Sequence, residues 1–227
     1  FAATVNAGVS VATGDIVILL NTDVRPSADC FTHLAESFRD ADLFAVTFNA
    51  DSTWARGVWE RGLFHHFRQE PKSPNQLSLS ASIFASGGQA AFSRHKWMQL
   101  GGMDPLYAPF YWEDVDLGYR AWKRGWRIIF DPRAHVVHDH EISVIKHNFS
   151  QQHVQSIAQR NQLLFIWKNI HDTKMIRSHL LVLPKFIKNY PQAFFAALVR
   201  LPTALRGRGV EQRACVQSDQ QVLANWK

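Results

Sequence analysis

The chain has 227 residues, 46% of them hydrophobic, enough for one large domain or a domain with an appendage, which excludes a disordered polypeptide. Its two cysteines, Cys30 and Cys215, fit neither a metal spacing nor a disulfide framework and point to a reducing compartment. The net charge of +6 is uneven: residues 141–227 hold 12 Lys+Arg against 4 Asp+Glu, a basic tail suited to the phosphates of lipid or nucleic acid, while the front is near neutral.

The chain opens on Phe1 in what reads as a mid-domain pattern, so an upstream part of a longer protein is expected. Asp15 to Leu20 is a short apolar run without alternation, which predicts a strand buried on both faces, as in a parallel sheet. Pro26-Ser27 then opens an amphipathic helix through Phe31, Leu34 and Phe38 with Ser27 as its cap, and Leu43 to Phe48 reads as a second strand, completing a βαβ unit. Between Asp51 and Ser78 the signals conflict. Trp54, Val58 and Leu63 hint at a helix, whereas Pro71 and Pro74 signal a loop.

Ala81 to Ala85 and Gln89 to Ser93 are strand-like runs around Gly87-Gly88, a pair that marks a bulge or a place where something approaches the backbone. A short helix over His95 to Leu100 ends at Gly101-Gly102, and a helix over Glu113 to Arg124 is closed by Gly125. Strands over Trp126 to Phe130 and Ala134 to His138 follow, so the order is alternating α/β. From about Ser150 the pattern is helical, apolar and basic, interrupted by Pro184, Pro191 and Pro202, with no run of about 18 uncharged apolar residues to span a membrane. Lys185 and Lys188 among Phe186, Ile187, Tyr190, Phe194 and Phe195 leave interfacial binding open beside a plain helical cover for the core.

Three constellations carry possible chemistry. Asp23, in Asn21-Thr22-Asp23, lies just past an apolar strand, where open α/β sheets bind ligands, although the tripeptide also reads as a polar turn ahead of Pro26. Trp112-Glu113-Asp114-Val115-Asp116 puts three acids at a helix start, where carboxylates also offset the helix dipole. Helical phase sets Asp114 on the packed face with Leu117, Gly118 and Ala121, making it the candidate general base, while Glu113 and Asp116 fall on the side of Arg120 and Lys123, solvated or salt-bridged. In His135-Val136-Val137-His138-Asp139-His140, alternation places His138 and His140 on one face; a strand-end His is structural or a ligand, and Asp23 with His138 would suit octahedral Mn²⁺ or Mg²⁺.

Residues 1 to about 140 resemble the second half of a family-two glycosyltransferase with the GT-A fold, in particular its rhamnosyltransferase-like branch. The carriers are Asn6-Ala7-Gly8 with Ala12-Thr13-Gly14-Asp15, then LLNTD, GGQAAFSR, LGGMDPLYAPFYWEDVDLGYRAWKRGWRI and VVH; RNQLLFIWKN, residues 160–169, resembles the helix that follows the catalytic domain. The resemblance implies an α/β, Rossmann-like, mixed and mostly parallel sheet, N-terminally truncated, over residues 1–145, followed by a helical, basic region over 146–227. It implies inverting, metal-dependent transfer of a sugar from a nucleotide-sugar donor to a glycan or lipid-linked acceptor in bacterial surface polysaccharide synthesis.

By the same resemblance Asp114 is the catalytic base, and Asn21, Asp23, Gly87, Gly88 and Gln89 are on the donor side. Trp112 and Glu113 face the acceptor, and Asp23 and His138 hold Mn²⁺ or Mg²⁺. Asn21 departs from the first acid of the family's D-x-D pair. The family's early nucleotide-binding strands have no counterpart before Phe1, which implies weak or no turnover by this chain alone. The implied setting is cytoplasmic, with peripheral contact on the inner face of the membrane and no nucleic acid partner. Two rivals are kept: a nucleotidyltransferase, for which no Gly-rich basic loop is visible, and a non-catalytic module that binds lipid or nucleic acid through the basic tail.

Overall fold

The computed structural model describes residues 1–71, 73, 77–138 and 148–226. A mixed sheet positions the site. Its strands are β1 (Ile16–Leu20), β2 (Val24–Pro26), β3 (Leu43–Asn49), β6 (Ser80–Ala81), β7 (Gln89–Ser93) and β8 (Arg127–His138), in the order β1-β7-β3-β8-β2 with β6 on β8. Every residue of β3 is buried, as its unbroken Leu-Phe-Ala-Val-Thr-Phe run requires of a central strand. Within the described sheet only β3 and β8 run parallel; β7 is antiparallel to both β1 and β3, and β2 and β6 are antiparallel to β8, so the described sheet is mixed as expected but mostly antiparallel rather than mostly parallel.

The expected βαβ unit is therefore split, because β7 enters between β1 and β3. β1 ends the described strand order, and Ile18 and Leu20 are exposed, so this strand is not covered on both faces as its composition suggested. The helix expected after Pro26 shortens to α2 (Leu34–Ser37) preceded by turns. Ser27 caps no helix there: its hydroxyl donates to Asp29 Oδ1 and to the His135 carbonyl.

The ambiguous stretch after Asp51 folds as a hairpin of β4 (Trp54–Glu60) and β5 (Leu63–Gln69). Its two-residue turn, Arg61-Gly62, has φ of +48° and +74°, the left-handed pair that matches strand twist in tight hairpins. Helix-like spacing of Trp54, Val58 and Leu63 misled because the hairpin buries both faces unevenly, with Phe64 in the core and Arg68 outside. Helices α1 (Ala2–Val11), α3 (Arg94–Leu100) and α4 (Glu113–Lys123) pack around the sheet. Asn6 of α1 clamps the turn after α3, donating to the Met103 carbonyl at 2.7 Å and accepting its N–H at 2.9 Å.

Beyond residue 150 come α5 (Gln151–Asn169), α6 (Thr173–Asn189), α7 (Pro191–Ala214) and α8 (Asp219–Ala224). Ser150, Asp172 and Ser218 cap α5, α6 and α8 through their side-chain oxygens, and Pro191 opens α7 where a missing N–H costs nothing. Pro184 and Pro202 do not break the chain as expected; they sit on exposed faces inside α6 and α7, where the lost hydrogen bond is open to water. Leu163, Leu164, Phe165 and Ile166 of α5 belong to the same apolar cluster as Phe64, Tyr119 and Ile128. The boundary between 145 and 146 lies outside the described residues. Among the described residues no helix is long and apolar enough to cross a membrane.

Candidate active site

Strand register assembles the site. Leu20 at the end of β1 pairs with Gln89 at the start of β7, and Val24 at the start of β2 pairs with His138 at the end of β8. The residues between β1 and β2 are thereby carried to the ends of two other strands. Asn21 N–H donates to the Gly88 carbonyl at 2.8 Å and Val24 N–H to the Asn21 carbonyl at 3.1 Å, so the tripeptide is a turn. It is also a delivery device, because Asp23 Oδ2 comes to 3.4 Å from His138 Nε2.

His138 Nδ1 lies 3.0 Å from Gln89 Oε1. With that oxygen accepting the Nδ1 proton, Nε2 turns its lone pair toward the Asp23 carboxylate. An imidazole nitrogen beside a carboxylate oxygen is an O,N set of the kind that suits Mn²⁺ or Mg²⁺ completed by diphosphate oxygens and water. A ligating histidine whose other ring nitrogen is tied to an oxygen keeps its tautomer and orientation. Among the described residues no cluster of three or more His, Cys, Asp or Glu could hold a metal. His135 is elsewhere, its carbonyl accepting from Ser27, while Asp139 and His140 lie outside the described residues.

Gly87, Gly88 and Gln89 each touch a different part of the site. The Gly87 backbone N–H favours the ionised Asp114 carboxyl, Gly88 lies against Asn21, and Gln89 contacts His138. A Cβ at Gly88 would overlap the Asn21 carboxamide, which explains a glycine at a position with ordinary backbone angles. The Gly pair is thus a close approach between strands of one site. Asn21 is exposed on the surface, with its carboxamide against Gly88.

Asp114 is half-buried at the start of α4, and its Oδ1 accepts the Val115 N–H at 2.8 Å. Desolvation pushes its pKa up to about 6 despite the hydrogen bonds from Val115 and Gly87. Glu113 is more covered than helical phase implied. Burial first, and then the neighbouring Asp114 charge, push it up to about 7, and its Oε2 is buried with no hydrogen-bond partner.

Asp116 is not solvated but fully buried. It accepts from Tyr107 Oη at 2.8 Å, Arg120 Nε at 2.7 Å, Lys168 Nζ at 2.9 Å and Asn169 Nδ2 at 2.7 Å. Burial alone would raise its pKa, but Arg120, Lys168 and Asn169 hold it well below the carboxylate range. The phase argument assumed a helix with one free face; α5 and α8 cover that face and turn surface ions into interior pairs, including Lys123 with Asp219 at 2.8 Å. Trp112 likewise belongs to the core, 7% exposed and edge-on to Phe64 and His66, with little surface to offer an acceptor.

The loop before Asp114 is held from α5. Tyr111 and Trp112 have φ of +69° and +79°, conformations that non-glycine residues adopt at a cost. Asn161 Nδ2 donates to the carbonyls of Tyr107, Phe110 and Tyr111 at 2.8, 3.1 and 2.8 Å, pinning the loop. Arg160, Asn161, Lys168 and Asn169 were missed as individual contributors by sequence reasoning. Their signal was present as polar residues within the otherwise apolar helix RNQLLFIWKN.

The family model for glycosyltransferase-like family 2 matches residues 1–163. An 85-residue segment is 35% identical to N-acetylglucosaminyl-diphospho-decaprenol L-rhamnosyltransferase from two strains of Mycobacterium tuberculosis, covering 37% of this chain and 25% of that protein, so the match spans about a quarter of the relative's length. Among solved structures, GalNAc-T7 with UDP, GalNAc and Mn²⁺ superposes with a TM-score of 0.66 at 15% identity, covering 98% of this chain and 42% of that one. That likeness establishes a shared GT-A fold.

Proposed function

The chain belongs to glycosyltransferase-like family 2, and from that premise we propose that it is part of a glycosyltransferase that performs inverting, metal-dependent transfer of a sugar from a nucleotide-sugar donor to a glycan or lipid-linked acceptor of bacterial surface polysaccharide synthesis. The observation that supports this reading is the segment Gly87-Gly88-Gln89, where the Gly87 N–H favours the ionised Asp114 carboxyl, Gly88 lies against Asn21 and Gln89 contacts His138. The family match favours sugar transfer over the nucleotidyltransferase and binding-module readings.

Asp23 and His138 would hold a divalent metal, which when bound supplies Lewis-acid stabilisation of the diphosphate leaving group. Asp114 accepts the proton of the acceptor hydroxyl, whose oxygen forms the new bond to the anomeric carbon as the bond to the diphosphate oxygen breaks. General-base help of this kind contributes roughly 10²–10⁴-fold. A carboxylate with a pKa near 6 is ionised at neutral pH and still basic enough to take the proton. The Val115 N–H fixes the orientation of Asp114, and the unpartnered Glu113 Oε2 lies buried beside it.

The outer faces of α6 and α7 support a peripheral contact with an anionic membrane. Leu180, Leu181, Phe195 and Val199 are exposed beside Lys174, Arg177, Lys185 and Lys188. That placement fits a cytoplasmic site working at the inner face of the membrane.

The test is Asp114→Asn in the protein that contains this chain. Sugar transfer is expected to vanish while Mn²⁺-dependent nucleotide binding persists; transfer at the wild-type rate would remove Asp114 from the role of base.

A further inference from the structure

A cavity of about 360 Å³ lies where the first half of α5 meets the junction of α6 and α7. Its size falls within the range of roughly 300–1,000 Å³ typical of small-molecule sites. α5 contributes Gln152, Gln155, Ser156 and Gln159, whose spacing of three and four places them on one face of the helix. By the same phase Asn161, which grips the loop before Asp114, points roughly the opposite way, so the cavity is separate from the reacting centre. The other wall is Asn189 and Tyr190 at the end of α6, with Gln192 in the first turn of α7.

The lining differs in chemistry from its neighbourhood. α6 carries Lys174, Arg177, Lys185 and Lys188, yet no charged side chain lines the cavity, although Lys188 directly precedes Asn189. Five carboxamides line it instead, those of Gln152, Gln155, Gln159, Asn189 and Gln192, and among the described residues none of them has a protein hydrogen-bond partner. Each carboxamide offers donors and an acceptor side by side. Tyr190 adds an aromatic surface: its ring is set edge-on against the buried Phe186 at 5.2 Å, while 38% of the residue stays exposed.

That set of groups selects its ligand by exclusion. A phosphate or a nucleotide would call for cations, which the lining does not supply. An apolar ligand would strip water from the carboxamides and leave them unpaired, which is costly. A neutral saccharide meets both conditions. Its neighbouring hydroxyls donate and accept side by side, as a carboxamide does, and the C–H face of a pyranose ring packs on an aromatic ring.

We propose that this cavity is a second, non-catalytic site that takes a neutral mono- or disaccharide unit of the acceptor glycan, beyond the sugar that reacts. That the saccharide belongs to the acceptor rests on the glycosyltransferase reading; binding of the saccharide itself does not.

An amide proton–nitrogen correlation spectrum of the chain tests this, because it reads the side-chain NH₂ groups of the five carboxamides directly, with signals assigned by their loss in Gln155→Leu and Gln159→Leu. The probes are maltotriose, N,N′-diacetylchitobiose, mannobiose and inorganic phosphate. At least one saccharide is expected to shift these signals with a Kd of about millimolar, as a few neutral contacts allow, and phosphate to leave them in place. Gln155 is exposed, so Gln155→Leu should keep the circular dichroism melt of the wild type while weakening the saccharide about three- to tenfold, the size of one lost hydrogen bond. In the protein that contains this chain, the same variant should raise the KM for the glycan acceptor by a similar factor and leave the KM for the nucleotide sugar unchanged. Shifts with phosphate alone, shifts with none of the probes, or saccharide binding unaltered in both variants overturns the site. Saccharide binding with an unchanged acceptor KM overturns its role toward the acceptor and leaves the glycosyltransferase reading standing. A wild type that transfers no sugar would remove that reading, and the amide signals would still report on the site.

Discussion

His138 stands between two oxygen-bearing side chains, Nδ1 at 3.0 Å from Gln89 Oε1 and Nε2 at 3.4 Å from Asp23 Oδ2. With Gln89 Oε1 accepting the Nδ1 proton, Nε2 is the nitrogen that faces Asp23. Gln89→Leu keeps the bulk and removes the oxygen, and Mn²⁺ affinity measured by calorimetry is expected to fall about 10–100-fold, the usual effect of losing the partner of a ligating histidine. Metal-free folding should change little. Unchanged Mn²⁺ affinity would show that the imidazole is oriented by other contacts.

Asp114 and Glu113 give the protein opposite pH dependences of activity and stability. Activity that needs ionised Asp114 should fall about tenfold per pH unit below about pH 6. For stability the sign reverses. Both acids are raised in the folded state, so their contribution is present below the ordinary carboxylate range and is lost as pH rises through about 6 to 7. Asp114→Asn should thus be inactive yet more stable than the wild type at pH 8, by about 1–2 kcal/mol after allowing for partial exposure. Thermal melts at pH 5 and pH 8 check this, since the gain should shrink at the lower pH.

The sequence made Asp23, Asp114 and the Gly pair legible because each sits at the end of an element with a local signature: an apolar run cut short, a helix start, a break in a strand. What it left hidden depends on pairings between distant residues. Nothing local announces that Leu20 meets Gln89 or that Val24 meets His138, yet those two registers create the site. The same reason explains Asp116. Its i,i+4 partner Arg120 was visible, but Lys168, 52 residues away, was not, and Lys168 helps turn a surface pair into a buried one. The hairpin after Asp51 was missed because Arg61-Gly62 is a weak turn signal within an aromatic stretch that also fits helical spacing.

The Asp116 network gives a second, opposite pH signature. Its carboxyl is held well below the carboxylate range, so its stabilisation is present above about pH 4 and is lost as pH falls toward the folded-state value. Asp116→Asn leaves Arg120 buried without its counter-charge and Lys168 with Asp104 as its remaining partner, which costs about 3–5 kcal/mol. Urea unfolding at pH 7 and pH 3.5 should find the difference between wild type and variant large at the first and smaller at the second. An equal difference at both would mean that the pair's charge contributes nothing.

Asn161 acts on Asp114 through the backbone. Its amide nitrogen donates to three carbonyls of the loop that contains Tyr111 and Trp112 in left-handed conformations, each storing about 1–3 kcal/mol of strain. Asn161→Ala releases the loop and should cost about 2–3 kcal/mol of stability. Asn161→Asp should be worse than alanine, because a carboxylate cannot donate and would face three carbonyl oxygens at hydrogen-bond distance. In kinetics, kcat is expected to drop in Asn161→Ala while the KM for the nucleotide sugar holds, since the Asp23–His138 pair does not depend on this loop. A rise in that KM with kcat preserved would place the effect of Asn161 on the donor side instead.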